Sequence, residues 1–363
     1  MLSYEVVEHG KPLQARLRET PKPQGAEVLM RITRSGVCHS DLHIWEGYFD
    51  LGGGKRFHVK DRGCVPPFTV GHEPFGVVEG LGPQAAGVKV GERRLVYPWI
   101  GCGRCPVCEA GNDHLCLNTR FVGVIRPGAY ATHLIVPDAR YLVDASGIDE
   151  AWAATLACSG LTAYSAIAKL PPLAARDWVA VLGCGGLGMA AISMLRAQGV
   201  GNVIACDVDA DKLARAREQG AAAVLDTRGE DALARLKALA GDAVAGVLDF
   251  VGMPATAGLG VGALAKGGHY VLCGLFGGEI TLSLPPIAQR AMSLRGSYVG
   301  SLRELQEVVA LARSGRLAPS PVEVRPAGEV NRSMEELREG RVFGRVVLDF
   351  EHVDPDAPAR ASA

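Results

Sequence analysis

The chain of 363 residues carries 38 basic and 39 acidic side chains interspersed along its length, so its net charge of −1 offers no footprint for nucleic acid and no polybasic membrane patch. With 48% hydrophobic residues and a length beyond one ordinary domain, two cores are expected. The opening MLSYEVVEHGKPLQ has early acids and no apolar stretch of signal-peptide length, which points to the cytoplasm, and ten cysteines there point to metal or catalysis rather than disulfides.

Up to about residue 150, short strand-like pieces (AEVLMRIT, FGVVEGLG, RLVYPWI, ATHLIVP) alternate with Gly, Pro and Asp clusters, which predicts a mainly β domain. Directly after the first of them, GVCHSDLH at 36–43 holds a thiol, two imidazoles, a hydroxyl and a carboxylate. The next stretch, FDLGGGKRFHVKDRGCVP, contains three consecutive glycines and is expected to be a flexible loop, either shaping a pocket or solvated on the surface. GHE at 71–73 follows. Cys102, Cys105, Cys108 and Cys116 then form a C-x2-C-x2-C-x7-C array. Four thiolates close a tetrahedron around zinc with no open position, which makes a structural site; an iron–sulfur cluster of the bacterial ferredoxin type has x3 before its fourth cysteine, where this array has x7.

From about Ala151 the texture changes. The uncharged runs Ala151–Ala168 and Trp178–Leu195 reach membrane length, but glycines and small polar residues interrupt both, so neither is expected to span a bilayer. WVAVLG, NVIACD, AAAVLD, GVLDFVG, GHYVLCG and MSLRGSY read as strands, the first three followed by Ala- and Leu-rich helical stretches, and such units in series predict a doubly wound parallel sheet. Between the first strand and its helix, Gly183, Gly185 and Gly188 stand in G-x-G-x-x-G spacing, with Gly186 and Leu187 between them. There a tight turn, close backbone approach and the free N–H groups of a helix N-terminus suit a pyrophosphate. Asp207 lies 19 residues after Gly188, placed to accept from the adenosine ribose hydroxyls and to repel a 2′-phosphate, which favours NAD over NADP. One helix (LRELQEVVALARSG), a final strand (RVVLDF) and a Pro/Ala tail expected to be disordered complete the chain.

GVCHSDLH, GHEPFGVV, the four-cysteine array, CSGLTAY, GCGGLG and GSYVGS occur in one order along nearly the whole chain, and in this the sequence resembles the zinc-dependent alcohol dehydrogenases of the medium-chain dehydrogenase/reductase superfamily. The resemblance implies an α/β protein: a Rossmann doubly wound NAD-binding domain at 160–298 and a mainly β, GroES-like catalytic domain formed by 1–159 and 299–363. It implies two zincs per chain, one structural on the four-cysteine array and one catalytic on Cys38, His72 and Cys158, with Glu73 as a carboxylate near the metal and Asp41 orienting His72. It further implies a proton relay from Ser40 through the nicotinamide ribose to His43, and cofactor contacts from His39, Thr162, Lys212 and Arg345. A small-molecule alcohol, aldehyde or ketone as substrate and a homodimer or homotetramer follow from the same likeness. Trp45, Tyr48, Phe49 and Trp99 are candidate pocket walls, and Cys64, Cys184, Cys206 and Cys273 are expected to be small apolar fillers. Two rival readings stand beside it. A polyol dehydrogenase often uses a glutamate at position 73 as third ligand and lacks Cys158; a non-catalytic NAD-binding scaffold needs neither the ligands nor the relay.

Overall fold

A computed structural model describes residues 1–353; the proposed Pro/Ala tail falls largely outside the described residues. The parallel sheet of the second half has six strands in the order Ala223–Asp226, Val203–Asp207, Val179–Leu182, Val244–Asp249, Leu264–Leu272, Ser293–Gly296. Numbered along the chain this order is 3-2-1-4-5-6, the doubly wound arrangement that leaves a crevice beside the first strand. The four central residues Val179–Leu182 are completely buried, because helices cover both faces of a parallel sheet and an apolar run without alternation is what such a strand requires.

The first half builds a seven-stranded, mostly antiparallel sheet around Val28–Val37, which pairs with Pro74–Leu81, His133–Val136 and Arg345–Asp349. The final strand therefore returns to the N-terminal sheet, with Val347 opposite Gly36, and Val322–Pro326 adds to it in parallel. The helix Leu302–Arg313 carries a capping box: the Ser301 hydroxyl accepts from Glu304 N–H at 3.2 Å, and the Glu304 carboxylate accepts from Ser301 N–H at 2.7 Å. The helix Val330–Arg338 and the strand before it are absent from the sequence expectation. Only Val330, Ser333 and Met334 of that helix are buried, so its apolar periodicity is too thin to read. No helix among the described residues is long and apolar enough to cross a membrane.

The glycine-rich stretch expected as a flexible loop is instead a β-hairpin, Tyr48–Gly52 paired with Lys55–His58, continued by a short 3-10 turn Val59–Arg62. Gly52, Gly53 and Gly54 all have positive φ (81°, 56° and 75°), so the three glycines close a tight hairpin turn instead of leaving the segment loose. Cys64, at its base, is buried as a filler.

Tyr97 ties the N-terminal sheet to the segment that returns from the parallel sheet. Its fully buried ring stacks beside Tyr141, and its hydroxyl donates to the Gly300 carbonyl at 2.8 Å. Tyr97→Phe removes the donor and leaves that carbonyl unpaired. It should cost about 1–3 kcal/mol and lower the melting temperature by several degrees in calorimetry; an unchanged melting temperature would show that the bond contributes nothing to holding the returning segment.

Candidate active site

Two sulfurs, an imidazole and a carboxylate meet where the sheets approach each other. Ser35 pairs with Pro74 across adjacent antiparallel strands, and Gly36 N–H donates to the Glu73 carbonyl at 3.1 Å; this register sets Cys38, just past one strand, beside His72 and Glu73, just before the other. Cys158 arrives from a different direction. It lies in a π-helical turn, Leu156–Gly160, inside an otherwise α-helical segment from Glu150 to Ile167, an irregularity typical of functional sites. Donor atoms of Cys38, His72, Glu73 and Cys158 all fall within 4.8 Å of one another, and the four residues are buried.

The chemistry of this donor set calls for a cation. Cys38 and Cys158 sulfurs are 3.8 Å apart, close to the edge of a tetrahedron with metal–sulfur bonds of about 2.3 Å. His72 Nε2 and Glu73 Oε2 are buried with no hydrogen-bond partner. The Cys158 thiol beside it holds Cys38 well below the ordinary thiol range, while the same contact, with burial, pushes Cys158 well above it. Burial works against charge on His72, yet the Asp41 carboxylate and the Cys38 sulfur together raise its pKa well above the usual imidazole range. A divalent ion bound to the two sulfurs and Nε2 satisfies the same demand for positive charge.

Behind the ligands, Asp41 accepts from His72 Nδ1 at 2.9 Å, which leaves Nε2 to face the cluster. Glu73 is held by Arg345, whose guanidinium donates to its Oε1 and, at 2.9 Å, to the Val37 carbonyl. Burial raises Glu73 to about 7 against the lowering effect of Arg345. Gly36 has no side chain because a Cβ there would overlap the Glu73 carboxylate.

The second cluster stands apart. Sulfur separations of 3.5 Å for Cys105–Cys108, 3.8 Å for Cys105–Cys116 and 4.0 Å for Cys102–Cys108 bracket the tetrahedral edge. Backbone N–H groups of Cys102 and Asn118 point at the Cys116 sulfur at 3.4 and 3.3 Å, as they do toward a thiolate. Buried Asp113 accepts from Gly101 N–H and, at 2.9 Å, from the Tyr141 hydroxyl, bracing the loop.

At the crevice of the parallel sheet, each glycine has its own reason. Gly183 takes a φ of 90°; a Cβ on Gly188 would overlap the Gly183 carbonyl; Gly185 faces open space. The helix begins at Gly186, capped by Gly185, with Leu187 half-buried in its first turn. Asp207 closes the turn, accepting from Cys184 N–H at 2.7 Å as well as from Val208 and Asp209 N–H. Lys212 lies 3.9 Å from Asp209. A Cβ on Gly186 would overlap the Arg345 side chain, so Arg345 touches the glycine turn with its stem and the metal cluster with its head.

Ser40 and His39 open the helix His39–Glu46, half-buried, and the Ser40 hydroxyl has no protein hydrogen bond among the described residues. The His39 ring lies 4.4 Å from Phe276 and 5.5 Å from His43, whose pKa falls to about 4 through burial, with His39 lowering it further. Thr162 is buried one turn beyond Cys158. Of the expected pocket walls, Phe49 and Trp99 flank the site, at 4.6 Å from His43 and 5.3 Å from His72. Trp45 turns away, its Nε1 donating to the Lys11 carbonyl, and Tyr48 lies under Arg56 at 3.9 Å. Sequence reading missed Phe57, Phe121 and Tyr298, which share the aromatic wall; GSYVGS marked the last without assigning it a place.

Known proteins share this fold and these domains. The zinc-binding dehydrogenase family model matches residues 186–314, and the alcohol dehydrogenase GroES-like domain model matches residues 24–146. A NAD-dependent alcohol dehydrogenase of Sulfurisphaera tokodaii is 34% identical over 96% of this chain and 99% of its own. The crystal structure of the alcohol dehydrogenase from Aeropyrum pernix superposes with a TM-score of 0.87 at 31% identity, covering 96% of this chain and all of that one. Acetophenone reductase from Geotrichum candidum, solved in complex with NAD, gives a TM-score of 0.83 at 28% identity over 97% of this chain and 98% of its own.

The two clusters should fail differently. Cys38→Ser should leave the melting temperature near wild type while halving the bound metal, whereas Cys105→Ser opens a closed four-sulfur site whose binding energy stabilises its lobe, and should lower soluble yield or melting temperature first. A Cys105→Ser protein as stable as wild type would contradict this division.

Proposed function

The chain belongs to the zinc-binding alcohol dehydrogenases, and from that premise we propose that it uses NAD to interconvert primary or secondary alcohols with the matching aldehydes or ketones. The observation that carries this reading is the buried Cys38–His72–Cys158 cluster with an unpartnered His72 Nε2, joined through Arg345 to the glycine turn. Cys38, His72 and Cys158 would hold a catalytic zinc, and the four-cysteine array a second, structural one. When bound, the catalytic zinc supplies a Lewis acid that polarises the substrate oxygen and makes its proton easier to lose.

The chain's own groups do the rest. When bound, the nicotinamide would supply the hydride acceptor for the carbinol carbon; the hydroxyl proton released in that oxidation needs a path to solvent. Ser40 would accept that proton and His43 would release it to solvent, and a bound cofactor would supply ribose hydroxyls able to carry it between them. At neutral pH the depressed pKa keeps His43 unprotonated and ready to accept. Thr162 would pack beside the nicotinamide, Asp207 and Lys212 would bind the adenosine ribose, and His39 would lie near the pyrophosphate. Glu73 and Val37 both take the Arg345 Nη2, so its buried, unpaired Nε, next to the stem that packs on Gly186, is a donor that would remain for a phosphate. Both cysteines of the mononuclear cluster are present, which supports an alcohol dehydrogenase over a polyol dehydrogenase.

Cofactor choice should follow Asp207. Asp207→Ser should raise the efficiency with NADP+ relative to NAD+ at least tenfold, about 1.4 kcal/mol of differential binding; a wild-type preference for NADP+ would refute the assignment.

For the relay, His43→Gln should depress turnover most at neutral pH, with recovery in imidazole buffers or at higher pH. Because His43 stays neutral from about pH 5 upward, the wild-type profile should show no inflection near 6.5 from this group. A His43→Gln profile identical to wild type would place the exit elsewhere.

A further inference from the structure

An aromatic lining runs outward from the metal cluster. The His72 ring lies 5.3 Å from Trp99, which meets Phe121 edge-on at 5.4 Å, and both reach Tyr298 at 6.1 Å. From His43 a second row leads to Phe49 and then, 6.5 Å on, to Phe57 of the hairpin. Arg62 ends the second row, its guanidinium carbon 4.7 Å from the Phe57 ring centroid. The first row ends on Tyr298, which keeps 42% of its surface open.

Arg62 itself is exposed and, among the described residues, makes no ion pair and no side-chain hydrogen bond. Its segment is short of acids: from Asp50 to Cys64, four Lys and Arg residues face two Asp, and the Asp50 carboxylate is occupied by Gly52 N–H at 2.8 Å. The hairpin is firmly seated. A Cβ on Gly52 would stand 2.8 Å from the Glu279 nitrogen, and one on Gly277 would stand 2.6 Å from the Asp50 carbonyl, so its tip rests on the loop that follows the fifth strand of the parallel sheet. At its base Val59 N–H donates to the Gly47 carbonyl at 3.1 Å. Arg62 is therefore presented from a segment anchored on both halves of the molecule.

We propose that the cleft selects alcohols and carbonyl compounds with an apolar body and a carboxylate at the end remote from the reacting oxygen, Arg62 being the group that recognises the carboxylate. This rests on the alcohol dehydrogenase reading above. The planar guanidinium, its face lying on Phe57, offers a carboxylate two parallel N–H donors, and one positive charge balances one carboxylate. A neutral alcohol fills the same walls and leaves the guanidinium to solvent.

The test compares 4-(hydroxymethyl)benzoate with benzyl alcohol, and an ω-hydroxy acid with the alkanol of equal length, using NAD+ with wild type, Arg62→Gln and Arg62→Lys. Wild type should prefer each carboxylated substrate at least tenfold in kcat/KM, mainly through KM, with the preference weakening as salt rises. Arg62→Gln should reduce the carboxylate-to-neutral ratio at least fivefold, Arg62→Lys should restore part of it, and Arg62→Glu should invert it. Turnover of neutral alcohols with a ratio near one in wild type, or a ratio untouched by Arg62→Gln, would overturn this proposal and leave the alcohol dehydrogenase reading standing. No turnover of any alcohol in the panel would overturn both.

Discussion

The metal end of the cleft depends on one carboxylate. Asp41 is completely buried and accepts from four donors: Cys38 N–H at 3.0 Å, Gly71 N–H at 3.2 Å, His72 Nδ1 at 2.9 Å and the Tyr130 hydroxyl at 3.0 Å. An ionised group so far from water persists only when its lone pairs are matched in this way. The donors come from three separate pieces of chain, so a single charge fixes where one ligand begins its helix, where the loop before the other runs, and which imidazole nitrogen is free. Burial, then the Asp41 charge, raises the Tyr130 phenol well above its ordinary range, which keeps it a donor.

A second constraint joins the metal cluster to the nucleotide crevice. Arg345 lies on the final strand, which enters the N-terminal sheet beside the strand that leads to Cys38, and it reaches Glu73 while its stem fills the space that Gly186 leaves open. The site is thus complete only when chain segments more than 270 residues apart have paired. The buried carboxylates at the junction are matched, since an unpaired charge would cost several kcal/mol: Glu73 by Arg345, and Asp41 by its four donors.

Much of this was legible in the sequence, and for identifiable reasons. The parallel sheet announced itself through uninterrupted apolar runs such as VAVL followed by helical periodicity, and the glycine turn through spacing. The four-cysteine array is local, so its spacing alone predicted a closed cluster. Cys38, His72 and Cys158 are distant in sequence; only the family resemblance joined them, because strand register and the π-turn that unite them leave no local trace. The hairpin was misread because three glycines signal freedom in a chain but a tight turn when their φ values are all positive. Tyr298 and Arg62 escaped for a similar reason: an aromatic and a cation have no spacing rule, and the rings each one meets are brought to it only by the fold.

If Cys38, His72 and Cys158 hold a metal with an open position, the ion there should sense a ligand directly. Cobalt(II) exchanged into the protein reports this through its thiolate charge-transfer and visible bands. Adding NADH and an unreactive amide analogue of a carbonyl substrate should shift part of that absorption in wild type, and Cys158→Ser should abolish the shifting part while the bands of the four-cysteine site remain. A spectrum unmoved by the analogue, or the same shift in Cys158→Ser, would contradict the assignment of the reacting centre.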